Sequence, residues 1–119
     1  MFLQYKDVIA KVTQKILDEF EKFSPDISLQ DGSDFSSYGL EATVIHVPGH
    51  TDGSIAILTS SGDLIAGDTL VNSDKPSPAP NASDFTILSD SVNRLKGMAI
   101  ETVYPGHGNP FSFKDVTLC

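Results

Sequence analysis

Three side chains capable of metal chemistry follow short apolar segments of this chain. His50 and His107 lie in glycine-containing turns directly after predicted strands, and Asp68 follows the apolar run 64–66. If those three strands are neighbours with a common direction, the three side chains converge at one edge of a sheet, on a rigid support. Two imidazoles and a carboxylate are suitable ligands for zinc, and also for iron or manganese. Such residues also occur as ordinary polar turn residues, so spacing alone leaves a structural role open.

The three residues lie in recognisable sequence motifs, HVPGHTDGS at 46–54, AGDTL at 66–70 and YPGHG at 104–108. In order and rough spacing, these segments resemble the last three motifs of the metallo-beta-lactamase superfamily, a resemblance that covers about residues 26–110. It implies that His50 binds one metal ion, Asp68 bridges two, and His107 binds the second. His46 precedes the ligand position, which leaves two alternatives: a supporting role beside the site, or a solvated residue at a strand end.

One motif of that family is missing, because its enzymes carry an earlier H-x-H-x-D-H segment and this sequence has no histidine before His46. The resemblance therefore implies an incomplete metal site and no hydrolysis by this chain alone. Three hypotheses follow. The chain is part of a hydrolase of an ester, thioester, lactam or phosphoester that a second chain completes. Alternatively, it is a non-catalytic metal-binding or protein-interaction module. In the third, Met1 is not the natural start and an upstream half exists.

Two helices are predicted from apolar residues spaced three and four apart. The first covers residues 5–23 and ends before Ser24 and Pro25, since proline cannot continue a helix. The second is capped by Ser83 and ends at Gly97. Three phenylalanines on these helix faces are expected in the core: Phe20, Phe23 and Phe85.

Strands are predicted where β-branched and apolar residues end at glycine or proline. The predicted strands are 27–29, 40–47, 54–59, 63–66 and 100–104, with 54–59 and 63–66 joined as a hairpin by residues 60–62. Residues 71–83 are rich in proline, asparagine and serine, which predicts an irregular surface loop flanking the site.

This order of elements predicts an α+β or layered α/β fold in a single domain over residues 1–119. The resemblance implies the C-terminal half of an αββα sandwich. A lone half would leave an apolar sheet face uncovered, so we expect a homodimer or pairing with a complementary N-terminal half.

Composition and net charge limit the classes of binding partner and the cellular compartment that we expect. The net charge of −8 disfavours nucleic acid, and no segment approaches the roughly 20 apolar residues of a membrane span. No signal peptide is recognisable at the N-terminus, and the one cysteine, Cys119, cannot form an intrachain disulfide. We therefore expect a cytoplasmic protein.

Overall fold

The computed structural model describes residues 2–20 and 23–116, with side chains from residue 10 onward. In this part of the chain the backbone forms two α-helices and seven strands, with two single-turn 3-10 helices, Ser36–Tyr38 and Phe113–Asp115. The helices are α1 (Phe2–Glu19) and α2 (Phe85–Lys96). The strands are β1 (Ala42–His46), β2 (Ile55–Thr59), β3 (Asp63–Gly67), β4 (Leu70–Val71), β5 (Ser77–Pro78), β6 (Thr102–Pro105) and β7 (Phe111–Ser112).

Five of the strands form one mixed sheet in the order β1-β2-β3-β6-β7, and β4 pairs with β5 separately. β1 and β3 are each antiparallel to β2, whereas β3 and β6 are parallel. Strands β1, β3 and β6 therefore run in the same direction and end at the same edge of the sheet. The common direction on which the predicted convergence depended is therefore present, although the three strands are not all neighbours, because β2 lies between β1 and β3. The mixed sheet with two helices confirms the α+β prediction.

The hydrophobic core lies between one face of the sheet and helix α2. Because side chains alternate across a strand, one face collects the buried residues of all the central strands. Sheet residues in this core include Ile45, Ala56, Leu64, Ala66 and Val103. Helix α2 contributes Leu88, Val92 and Leu95, each at most 2% exposed. Their spacing of four and three residues forms one helical stripe, and each buried side chain stabilises the fold by roughly 1.5–3 kcal/mol.

The opposite face of the sheet is also apolar, and it is open to solvent along β3 and β6, whereas Val44 of β1 on the same face is buried. Ile65 pairs with Ile57 on one side and Tyr104 on the other, so these residues form a row across three strands. Ile65 is 50% exposed and Tyr104 43%. Such a row is unusual on a solvated sheet face, where polar residues normally alternate with buried ones. In the described part of the chain this face is thus partly uncovered, as expected of half a sandwich.

Helix α1 forms where it was predicted but differs in extent and in burial. It ends at Glu19, short of the predicted residue 23, and residues 21–22 lie outside the described part of the chain. The expectation that Phe20 and Phe23 are core residues was wrong, since they are 61% and 81% exposed. Val12 and Ile16 lie on the apolar face of α1 and are also more than half exposed, because nothing in the described part of the chain covers that face. Neither described helix is long and apolar enough to cross a bilayer.

The predicted strand 27–29 is not present. The edge of β1 is bordered instead by residues 32–35, whose backbone bonds to β1 through Gly32 N to Val44 O at 2.8 Å and Phe35 N to Ala42 O at 3.0 Å. The segment that pairs with the edge of β1 therefore begins at residue 32, after the predicted strand 27–29. The strand predicted at 100–104 is β6, which covers Thr102–Pro105, and β7 (Phe111–Ser112), which was not predicted, forms the other edge of the sheet.

Two details at the start of α2 also differ from the prediction. Asp84, not Ser83, caps the helix, because its extended backbone lets its carboxylate accept from Ile87 N at 3.0 Å. Phe85 is 57% exposed and not in the core, since the buried stripe starts one turn later at Leu88. The loop 71–83 is mostly irregular as predicted, but its Ser77–Pro78 segment pairs with β4.

Candidate metal centre

The three predicted ligands lie together at the edge where β1, β3 and β6 end. Asp68 is at the centre: its Oδ1 lies 3.0 Å from His107 Nδ1, and its Oδ2 lies 3.7 Å from His50 Nε2. The side chains of His50, Asp68 and His107 are 21%, 41% and 68% exposed, so the group is open to solvent on one side. His50 and His107, which are 57 positions apart in the sequence, therefore lie beside the same carboxylate. The role of the three residues as metal ligands stays a prediction.

Glycines allow the turns to approach one another this closely. A Cβ on Gly106 would collide with Asp68 Oδ1 and with the backbone of Gly67. The Gly106 amide instead donates to Gly67 O at 2.7 Å, which fixes the turn carrying His107 against the turn carrying Asp68. A side chain at this position would separate the two motifs.

The orientation of His50 is set by its second ring nitrogen. His50 Nδ1 lies 2.9 Å from the carbonyl oxygen of Asn81. A carbonyl only accepts hydrogen bonds, so Nδ1 carries a hydrogen, and Nε2 is the ring nitrogen that faces Asp68. An imidazole held in this way is prepared to bind a cation through Nε2.

His46 does not join this group. Its Nε2 lies 2.8 Å from the backbone oxygen of Asp52, across the turn that carries His50. Of the two roles considered, the contact favours a supporting one, in which His46 connects the two ends of the 46–52 turn.

Sequence patterns gave no sign of an ion pair that supports the same turn. Asp31 Oδ2 lies 2.8 Å from Arg94 Nη2, and Asp31 Oδ1 accepts from His46 N at 2.8 Å. Arg94 also donates to His46 O at 3.1 Å. The Arg94 hydrogen bond, followed by that of the His46 amide, holds the pKa of Asp31 below its ordinary value of 3.8. The partners are 63 positions apart, and nothing in the local sequence connects them.

A cavity of about 360 Å³ opens over the three candidate ligands. The loop between β4 and α2 lines its wall through Ser73, Pro80 and Asn81. This agrees with the expectation that the loop flanks the site. A cavity of this size accommodates a small molecule or the reactive end of a larger one.

The donor set fits a divalent metal, although the side chains are not yet arranged around one point. Within residues 10–20 and 23–116 no three His, Cys, Asp or Glu side chains are placed so that they could hold a metal ion as they stand. Asp68 instead forms a separate contact with each histidine. Two imidazoles and a carboxylate are nonetheless the ligands that zinc and iron sites use, and the fixed Nδ1 hydrogen of His50 leaves Nε2 free for that purpose.

Comparison with known proteins gives the family. The family model of the metallo-beta-lactamase superfamily matches residues 3–107. A protein of Methanocaldococcus jannaschii named "Probable metallo-hydrolase MJ0888" is 39% identical over 79 residues, which are 63% of this chain and 37% of that protein. An acyl-coenzyme A thioesterase of Gallus gallus is 32% identical over 95 residues, 73% of this chain and 33% of that protein.

The fold is also found among solved structures. A crystal structure of TTHA1623 in a di-iron-bound form aligns with a TM-score of 0.63 and 26% identity, covering 80% of this chain and 47% of that one. The chain spans about a third of the length of the curated relatives it matches. The family model covers most of the chain, from the first helix through the last histidine motif. This chain therefore belongs to the metallo-beta-lactamase superfamily.

Proposed function

We propose that this chain supplies part of the active centre of a metal-dependent hydrolase, with His50, Asp68 and His107 as metal ligands. The observation that carries the proposal is their convergence on Asp68, at 3.0 Å from His107 and 3.7 Å from His50. Family membership supports a hydrolase, and the geometry supports these three residues as its ligands.

Zinc is the metal that we propose first, with iron or manganese as alternatives. The di-iron form of the related structure supports a metal in this fold, and two histidines with one aspartate do not select sharply among these ions. A bound metal would supply Lewis-acid polarisation of the substrate and a more acidic bound water.

The chain's own residues have distinct tasks in this proposal. Asp68 offers one oxygen toward each histidine, which suits a carboxylate shared by two ions. The Asn81 carbonyl orients His50, and the loop 71–83 forms the wall against which a substrate lies.

A second polypeptide segment is needed to complete this centre. The three side chains are fewer than a two-metal hydrolase requires, and the sequence has no histidine before His46. The row of Ile57, which is half-buried, and Ile65 and Tyr104, which are exposed, offers an apolar sheet face on which such a segment could pack. We propose a complementary N-terminal half as its occupant, with a homodimer as the alternative, in a cytoplasmic setting without nucleic-acid or membrane partners.

The substrate that we propose is a small ester, thioester or phosphoester. The thioester has specific support, because a relative 32% identical to this chain is named an acyl-coenzyme A thioesterase. That name describes the relative. In this chain the loop 71–83, which lines the cavity, would determine which substrate is preferred.

The first experiment is elemental analysis of the purified chain after exhaustive dialysis, together with its mass by sedimentation equilibrium. We expect bound zinc, iron or manganese in wild type and its loss in Asp68→Ala. Asp90→Ala, which removes an exposed carboxylate from α2, is the matched control and should keep the metal. Equal metal content in wild type and Asp68→Ala would remove the site assignment.

Sedimentation tests the partner separately. An assembly larger than one chain, or a complex with a co-expressed polypeptide that carries an H-x-H-x-D-H segment, supports the proposal. A compact metal-free monomer that does not associate with such a polypeptide would favour a non-catalytic module.

A further inference from the structure

We propose that residues 81–84, which lead into α2, form a clamp that fixes the direction and tautomer of His50, with Ser83 as a positioning residue. The inference deepens the proposed function, on which the relevance of His50 as a ligand rests. Its physical content is independent of any metal, because every contact in the clamp lies within this chain.

The clamp bonds to the backbone of the turn that carries His50. Ser83 donates twice to His50 O, from its amide at 3.2 Å and from its hydroxyl at 3.2 Å. The amide of Asp84 donates to Gly49 O at 3.1 Å. Two consecutive carbonyls of the turn are therefore bonded by two consecutive residues of the clamp.

Helix α2 extends the same attachment into the core. The hydroxyl of Ser91, a residue that is 6% exposed, donates to Pro48 O at 2.7 Å. The backbone of Gly49 lies so close to Leu88 that a Cβ on Gly49 would collide with the helix backbone. The turn cannot shift relative to α2 without breaking these contacts, and α2 is fixed by its packing on the sheet.

The clamp also bonds to the imidazole itself. Asn81 O accepts from His50 Nδ1 at 2.9 Å, so the ring is in the Nδ1–H tautomer and Nε2 faces Asp68 Oδ2 at 3.7 Å. A ligating histidine in a metal site typically donates its other N–H to such a carbonyl, and this contact fixes both the tautomer and the direction of the ring.

Ser83 connects these two sets of contacts. It lies two residues after Asn81, and its two hydrogen bonds hold the clamp on the His50 carbonyl while Asn81 holds the ring. Ser83→Ala removes the hydroxyl donor and leaves the amide, which loosens the segment without removing it. The Asn81 carbonyl then has more freedom relative to His50 Nδ1.

The test measures the tautomers of the histidines in the metal-free, ¹⁵N-labelled chain by long-range ¹H–¹⁵N correlation at about pH 8.5, where an ordinary imidazole is neutral. We expect His50 in the Nδ1–H form in wild type and a mixture of tautomers in Ser83→Ala. Ser83→Thr, which keeps the hydroxyl, should restore the wild-type signal. Ser89→Ala, which removes an exposed serine hydroxyl from α2, should leave it unchanged.

His46 provides an internal reference in every sample. Its Nε2 lies 2.8 Å from the Asp52 carbonyl, so it should show the opposite, Nε2–H tautomer. A predominantly Nε2–H His50 in wild type would overturn the clamp. An unchanged His50 signal in Ser83→Ala would overturn the positioning role of Ser83.

A Zn²⁺ titration of the same variants separates this inference from the proposed function. We expect Ser83→Ala to weaken Zn²⁺ binding about tenfold, as loss of an outer contact to a metal ligand commonly does. If wild type shows the Nδ1–H tautomer and binds no Zn²⁺, the clamp is upheld and the metal proposal fails.

Discussion

Both of the described α-helices are amphipathic, yet among the described side chains only those of α2 have their apolar face covered. In α2, Leu88, Val92 and Leu95 are at most 2% exposed against the sheet. In α1, Val12, Ile16 and Leu17 are 53–63% exposed. The sheet repeats this contrast, with one face packed on α2 and the row that contains Ile65 left open.

In the described part of the chain, the region with buried packing is therefore the region that carries the candidate ligands. Three successive carbonyls of the turn that carries His50 accept hydrogen bonds from Ser83 and Asp84, just before α2, and from Ser91 within it. The open sheet face and α1 instead have apolar surface with no cover in the described part of the chain. An apolar surface of this kind normally marks an interface. The region packed around α2 positions the candidate ligands. The exposed apolar surfaces of α1 and of the sheet are where we expect a partner segment to bind.

The largest effect is expected where α2 meets the His50 turn. Gly49 has a φ of +134°, and a Cβ there would collide with the backbone of Leu88. Gly49→Ala should therefore cost about 4 kcal/mol in the free energy of unfolding, from backbone strain and overpacking together. Gly53→Ala, in the same turn but with open space around it, should change stability by less than about 0.5 kcal/mol. Urea denaturation measures both, and similar losses would contradict the tight contact.

The contrast between the helices is tested by one chemical change made in each. Leu95→Ala removes a side chain that is fully buried in α2, and should cost about 2–5 kcal/mol. Leu17→Ala, at a position 63% exposed in α1, should cost less than about 0.5 kcal/mol. Thermal and urea unfolding of both variants measure the two losses in the free energy of unfolding. A comparable loss for Leu17→Ala would show that α1 is covered in solution.

Neighbouring residues of β3 test the two faces of the sheet. Leu64 is fully buried and Ile65 is 50% exposed, so Leu64→Ala should destabilise the chain by about 2 kcal/mol more than Ile65→Ala. Urea unfolding at several protein concentrations measures this difference. If the Ile65→Ala loss grows with concentration, a second copy of the chain covers the open face.

Much of the fold was predictable because its signals are local. Strand ends at glycine, the hairpin around residues 60–62 and the periodicity of α2 all follow from neighbouring residues. The relation of His50, Asp68 and His107 was predictable because motifs at the ends of strands with a shared direction meet at one edge.

Features that depend on contacts far apart in sequence were not predictable. The exposure of Phe20 and Phe23 reflects which surfaces have a cover, and helical periodicity does not report that. Asp84 caps α2, and Ser83, the predicted cap, bonds instead to the carbonyl of His50, 33 residues away. The Asp31–Arg94 pair is likewise invisible to local patterns.

The smallest effect is expected from that ion pair, through the pH dependence of stability. The pKa of Asp31 is lowered by Arg94 and by the His46 amide, so the folded state favours the carboxylate. Its stabilisation is present above the ordinary value of 3.8 and is lost as the pH falls through the lower folded-state pKa. Asp31→Asn should therefore flatten the decline in melting temperature below about pH 4, relative to Asp74→Asn on the exposed loop. Parallel curves for the two variants would mean that the pair does not form in solution.

Zn²⁺ titration calorimetry tests whether His50, Asp68 and His107 form one metal site. Wild type is compared with His50→Ala, Asp68→Ala and His107→Ala, and with Asp90→Ala as the control at an exposed carboxylate outside the group. We expect each of the first three variants to lose Zn²⁺ binding and Asp90→Ala to keep it. Binding that survives all three substitutions, or that is absent from wild type, would contradict the assignment of these three residues as a metal site.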